Sequence, residues 1–136
     1  MPAPTVVFDL DGTLIDTAPD LVDTLNVILA RHDVAPVAFD QARSMIGAGV
    51  KPLLQRGLAA KGVQLPPDEI DKLFHEYLEV YAAHIADRSR PFPGLERALD
   101  ALSAQGCTFA VCTNKLEWLS VRLLEKFNLA QRFAAI

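Results

Sequence analysis

The chain has 136 residues, 13 of them basic and 17 acidic, which gives a formal charge of −4, and 51% of its residues are apolar. That balance excludes a disordered chain, which would be poorer in apolar residues for its charge, and a Pro/Gly-dominated fibre, which would exceed 7 Gly and 9 Pro. It also excludes a nucleic-acid binder, since no Lys/Arg cluster supplies the positive field that phosphate backbones require.

No apolar run reaches the roughly 18–20 residues of a membrane-spanning helix, and the N-terminus meets Asp9 and Asp11 before a signal-peptide core can form. A cytoplasmic protein with no membrane partner is expected. The two cysteines, Cys107 and Cys112, read as parts of one strand. Five residues of strand span about 16 Å, whereas a disulfide tolerates about 4.4–6.8 Å between Cα atoms. Reduced thiols follow, in keeping with the cytoplasm.

Thr5-Val6-Val7-Phe8-Asp9-Leu10, ended by Asp11-Gly12, is a short apolar run with β-branched residues. It reads as a strand buried on both faces, central in a parallel sheet. Thr17-Ala18-Pro19-Asp20 supplies a capping box, and Leu21, Val22, Leu25, Ile28 and Leu29 form one stripe of a helix that stops near Asp33. Short helices are expected over Asp40 to Ile46, closed by Gly47, and over Pro52 to Lys61, closed by Gly62. Pro67 and Asp68 open the clearest helix. Ile70, Leu73, Phe74, Tyr77, Leu78, Tyr81 and Ile85 keep its i, i+3, i+4 spacing, with Tyr77 and Tyr81 as core.

Pro91, Pro93 and Gly94 then punctuate the chain before a helix carrying Leu95, Ala98, Leu99 and Leu102. Thr108 to Thr113 reads as a second buried strand. Asn114-Lys115 turns it into a helix with Leu116, Leu119, Leu123 and Phe127, and Phe133 to Ile136 reads as a third strand cut short. This order implies a parallel α/β sheet with right-handed crossovers. Roughly 75 helical residues separate the first strand from the helix that returns to the sheet, far beyond a usual connection of about 2–6 residues. They are best read as an inserted helical cap, residues 16–90, within a core of residues 1–15 and 91–136.

Ligands of open parallel sheets bind beyond the carboxyl ends of the strands. Two polar clusters occupy those ends: Asp9-Leu10-Asp11-Gly12-Thr13 and Thr113-Asn114-Lys115. Asp residues after a strand commonly serve as turns or caps. Asp9, however, lies inside the apolar run, where a buried carboxylate demands a partner or a metal. Two carboxylates two residues apart can divide the work of nucleophile and metal ligand from that of proton donor and acceptor.

Asp9-Leu10-Asp11-Gly12-Thr13-Leu14-Ile15-Asp16-Thr17 resembles the first signature of the haloacid dehalogenase-like superfamily, and Cys112-Thr113-Asn114-Lys115 resembles its second. Ile46-Gly47-Ala48-Gly49 and Thr113-Asn114-Lys115 liken the chain most to the phosphoglycolate-phosphatase group of that superfamily. The resemblance implies a Rossmann-like core with a helical cap and Mg²⁺-dependent hydrolysis of a small phosphorylated metabolite, with phosphoglycolate the leading substrate. It makes Asp9 the phosphorylated nucleophile and a Mg²⁺ ligand, and Asp11 the general acid/base with its carbonyl on the metal. Gly12, Thr113, Asn114 and Lys115 would surround the phosphoryl group. Asp11 favours phosphate esters over dehalogenation, whose enzymes usually lack the second Asp. A phosphomutase, or a short non-catalytic relative that binds phosphate or a partner, remains the alternative.

Gly47-Ala48-Gly49 with Lys51 matches the position of a substrate-reading cap loop and equally reads as a helix cap with a solvated lysine. Lys115 either approaches the phosphate or faces water from a first helical turn. His32, His75 and His84 lack the spacing of a zinc site, and no serine-hydrolase elbow or P-loop is present. The resemblance further implies a third-motif Lys and a fourth-motif acidic pair, for which the 136 residues hold no counterpart. The core is therefore expected to be incomplete at its C-terminus, poorly active alone, and prone to self-association through an exposed strand edge.

Overall fold

The computed structural model describes residues 3–136; residues 1 and 2 of the expected core segment lie outside it. The chain divides into two compact units, Thr17–Ser89 and the remainder on either side of it.

The first unit is α/β. β1 (Thr5–Phe8) pairs in parallel with β4 (Thr108–Val111), with Thr5 opposite Thr108 and Phe8 opposite Val111. Between them in sequence, α5 (Leu95–Ala104) begins at Gly94, whose φ of 86° is the left-handed conformation a side chain would resist. After β4, α6 (Glu117–Lys126) and a 3₁₀ turn (Ala130–Arg132) return the chain to the sheet. The core comprises Leu10, Leu14, Ile15, Leu99, Phe109, Val111, Leu119, Leu123, Leu124, Leu129 and Phe133. Phe8, Phe109 and Phe133 meet with ring centroids 5.9–6.4 Å apart, spacing at which edge and tilted contacts are favourable.

Three expectations change here. β1 is not buried on both faces: Thr5 is exposed and Val7 is 60% exposed, and the alternation places both on one face of the sheet, which stays uncovered among the described residues. The third strand is a single parallel bridge, Ala110 to Ala135, with Ala134 N donating to Phe109 O at 2.7 Å and Val111 N to Ala135 O at 2.9 Å. A two-stranded ribbon unread in the sequence, β2 (Ile15–Asp16) antiparallel to β3 (Arg90–Pro91), stands where the chain leaves this unit and re-enters it.

The second unit is helical. α1 (Ala18–Arg31) packs on α2 (Phe39–Arg43), α3 (Val50–Ala60) and α4 (Pro67–Ala83), and α3 packs on α4. Leu25, Ile28, Leu29, Leu53, Leu54, Leu58, Tyr77 and Tyr81 are its fully buried centre. Gly57 lets α3 approach α1, since a Cβ there would lie 3.0 Å from Leu25 Cδ1. Tyr77 Oη donates to Leu21 O at 2.8 Å, which satisfies the donor of a buried phenol. α2 is five residues long, shorter than the expected Asp40–Ile46. Among the described residues no helix is long and apolar enough to cross a membrane.

The capping box at Thr17 does not form. Thr17 makes no side-chain cap, and Asp20 turns instead to the far end of the unit. Its carboxylate accepts Arg88 N on both oxygens at 3.0 Å, Ser89 N at 2.8 Å and Ser89 Oγ at 2.6 Å. Asp20 and Ser89 are 2% and 0% exposed. A buried charge is tolerated when several donors surround it, and those donors lie too far along the sequence for a local capping pattern to reveal them.

Candidate active site

The parallel register carries both polar clusters to one edge of the β1–β4 sheet: Phe8 faces Val111, and Cys112 N donates to Phe8 O at 2.8 Å, so Asp9 follows β1 where Cys112 follows β4. Beyond β1 the backbone closes tightly. The Leu10 carbonyl accepts Thr13 N, Leu14 N and Ile15 N at 3.0–3.2 Å, Asp11 bridges Ile15, and Gly12 N donates to Ile15 O at 2.9 Å. Gly12 has φ 80°, which makes this turn possible and favours glycine.

Asp9 was expected to be buried, and it is exposed. It lies one residue past β1 and continues the exposed alternation of Thr5 and Val7, and the carboxylate is held by its own chain, with Leu10 N donating to Asp9 Oδ1 at 2.7 Å. Asp11 is the more enclosed of the two, its side chain 14% exposed. Lys115 reaches across 104 residues of sequence, Nζ donating to Asp11 Oδ1 at 2.9 Å. Its side chain is 5% exposed, so the solvent-facing lysine envisaged from sequence is not what folds. It also precedes α6 by two residues instead of sitting in its first turn. Thr113 is half-buried and its Oγ1 accepts Lys115 N at 3.1 Å, which fixes the loop, while Asn114 is exposed.

The remaining candidates lie in the helical unit. Gly49 precedes α3 with φ 101° and ψ 178°, a conformation essentially reserved for glycine. Lys51 Nζ pairs with Asp71 Oδ1 at 2.7 Å and lies 5.0 Å from the Phe74 ring centroid. These contacts occupy the lysine within its own unit, at a half-exposed position where each contributes modestly.

Among the described residues no group of three or more His, Cys, Asp or Glu side chains gathers as a metal cage. Mg²⁺ is commonly held through one or two carboxylates, completed by substrate phosphate and water. The Asp9 carboxylate and the Asp11 backbone carbonyl are such hard oxygen donors, and the donor set fits that ion. The Asp11–Lys115 pair is not legible in the sequence, where the available signal is a lysine that closes the second strand-end cluster.

A family model described as haloacid dehalogenase-like hydrolase matches residues 6–136. The phosphoglycolate phosphatase of Caulobacter vibrioides is 48% identical over 132 residues, covering 97% of this chain and 56% of that protein. That of Agrobacterium fabrum is 46% identical over 134 residues, covering 98% and 58%. The chain thus spans somewhat more than half the length of these curated relatives. The crystal structure of a predicted phosphoglycolate phosphatase from Haemophilus somnus superposes with a TM-score of 0.88 at 28% identity, over 98% of this chain and 61% of that one.

Proposed function

Since this chain belongs to the haloacid dehalogenase-like hydrolase family, we propose that the protein is a Mg²⁺-dependent phosphatase of small phosphate monoesters, with phosphoglycolate its leading substrate. The observation that carries this reading is the pairing of two strand-end clusters, Asp9 to Gly12 and Thr113 to Lys115, joined by the 2.9 Å contact of Lys115 with Asp11. The substrate assignment is supported by relatives of that name at 48% and 46% identity.

Asp9 attacks phosphorus as the phosphoryl group leaves the ester oxygen, forming an aspartyl phosphate. Asp11 gives its proton to the departing alkoxide, then takes one from the water that cleaves the acyl phosphate, returning Asp9 to a carboxylate. The Thr113 hydroxyl and Asn114 amide hold phosphoryl oxygens, so that position and charge stabilisation supply most of the acceleration. Mg²⁺ would be held by the Asp9 carboxylate and the Asp11 backbone carbonyl, and would supply charge neutralisation to the transferring group.

The test is phosphate release from a panel of small esters by the full-length protein, with and without Mg²⁺. Phosphoglycolate should give the highest kcat/KM, chelation should abolish turnover, and Asp9→Asn should lower kcat by at least about 10³-fold. Turnover by Asp9→Asn near that of the wild type would refute the assigned nucleophile.

A further inference from the structure

The Lys115 side chain is 5% exposed, and an ammonium is strongly hydrated and buried at a cost unless a partner meets it. Here that partner is Asp11, and both ends of the contact are fixed by their own backbones. Thr113 Oγ1 accepts Lys115 N at 3.1 Å, and Asp11 is bridged to Ile15 within the Leu10 turn. The ammonium therefore joins the loop after β1 to the loop after β4 through a side chain on the proton-handling carboxyl group.

We propose that Lys115 is a positioning residue that acts through Asp11, its ammonium fixing the carboxyl group that serves the ester oxygen instead of binding the phosphoryl group itself. This rests on the phosphatase reading above. Proton transfer demands a carboxyl oxygen within about 2.6–3.2 Å of the ester oxygen, and a displacement of about 1 Å can lower a rate by about 10²-fold. Without Lys115 the Asp11 carboxyl group loses the contact at Oδ1 that supports that geometry, while the nucleophile Asp9, held by Leu10 N, stays in place.

Esters that differ in their need for a proton separate this role from direct phosphate binding. An alkyl phosphate expels an alkoxide and needs the proton; p-nitrophenyl phosphate expels a stabilised phenolate and needs little help. In the full-length protein, Lys115→Met should lower kcat/KM for the alkyl ester by about 30–100-fold, with a loss for the aryl ester at least about ten times smaller. Asp11→Asn should show the same selectivity, the double variant should lose little more, and Lys115→Arg should recover part of the alkyl activity. Equal losses on both esters, losses that multiply in the double variant, or an unaffected alkyl rate would each overturn the proposal.

Thermal melts establish that the variants fold. If Lys115→Met does not, Lys115→Arg is judged alone by the same ester selectivity. A readout independent of turnover is the ¹H–¹⁵N correlation of the Lys115 ammonium, which should be visible in the wild type and lost in Asp11→Asn; a wild type without it overturns the pairing. Activity that survives in Asp9→Asn counts against the phosphatase reading itself, whereas an inactive Asp9→Asn beside an indifferent Lys115→Met counts against Lys115 alone.

Discussion

Replacing Asp20 by Ala should be among the most damaging single changes in the helical unit, although the residue lies outside the proposed catalytic set. Its carboxylate receives the amides of Arg88 and Ser89 and the Ser89 hydroxyl, at 2.6–3.0 Å. Hydrogen bonds to a charged group contribute about 1.5–3 kcal/mol each, and a buried donor stripped of its acceptor costs about 1–3 kcal/mol. Asp20 also occupies the first turn of α1, where a negative charge adds about 0.3–1 kcal/mol. Relief from burying the charge offsets part of this. A net loss of about 3 kcal/mol follows, which at a urea slope of about 1.5 kcal/mol/M moves the unfolding midpoint by about 2 M. Asp20→Asn, which keeps one acceptor oxygen, should lose about half as much. Asp23→Ala serves as the control: it removes the Arg88–Asp23 ion pair, both side chains more than half exposed, and should leave the midpoint in place. A midpoint for Asp20→Ala within about 0.3 M of the wild type would refute the idea that this carboxylate ties the ends of the unit.

Glu76 is held below the usual carboxylate range by its hydrogen bond to His32, opposed by burial and aided by Arg31. A lowered folded-state pKa means that this stabilisation is present above the unfolded value of about 4.3 and fades as pH falls through the folded one. Glu76→Gln should therefore be less stable than the wild type by under about 1 kcal/mol at pH 6–7, and the difference should shrink as pH falls through the lowered folded-state value, as urea midpoints across that range would show. Tyr77→Phe should cost about 1–2 kcal/mol by the same measurement, since the Leu21 carbonyl loses a buried donor. Val7→Lys should reduce concentration-dependent association in sedimentation, because a charge on the open β1 edge opposes strand pairing; unchanged association would show that the edge does not mediate it.

The legible parts of the fold are those with long periodic patterns. α4 follows from Ile70, Leu73, Tyr77 and Tyr81 at helical spacing, and the two polar strand ends follow from where apolar runs stop. The β2–β3 ribbon escapes because two residues carry no period, and its pairing of Asp16 with Arg90 is set by tertiary structure. Thr17 to Asp20 has the letters of a capping box, but Ser89 is a stronger use of that carboxylate than the first helical turn. At the site, residue types were legible and their mutual geometry was not. Whether Lys115 meets water, phosphate or Asp11 depends on a contact across 104 residues, and the exposure of Asp9 follows from which face of β1 is covered.

The β1–β4 pairing also sets an order of events during synthesis. Thr5 must wait for Thr108, 103 residues later, while Thr17–Ser89 is contiguous and can collapse as soon as it has emerged. At about 5–20 residues per second, the N-terminal strand spends about 5–20 s unpaired. Throughout that interval Val6, Val7 and Phe8 are an extended apolar segment without a partner, followed closely by Asp9 and Asp11. Charges beside such a segment discourage intermolecular strand addition, so the two carboxylates proposed for catalysis would guard the nascent chain before they have a substrate to meet.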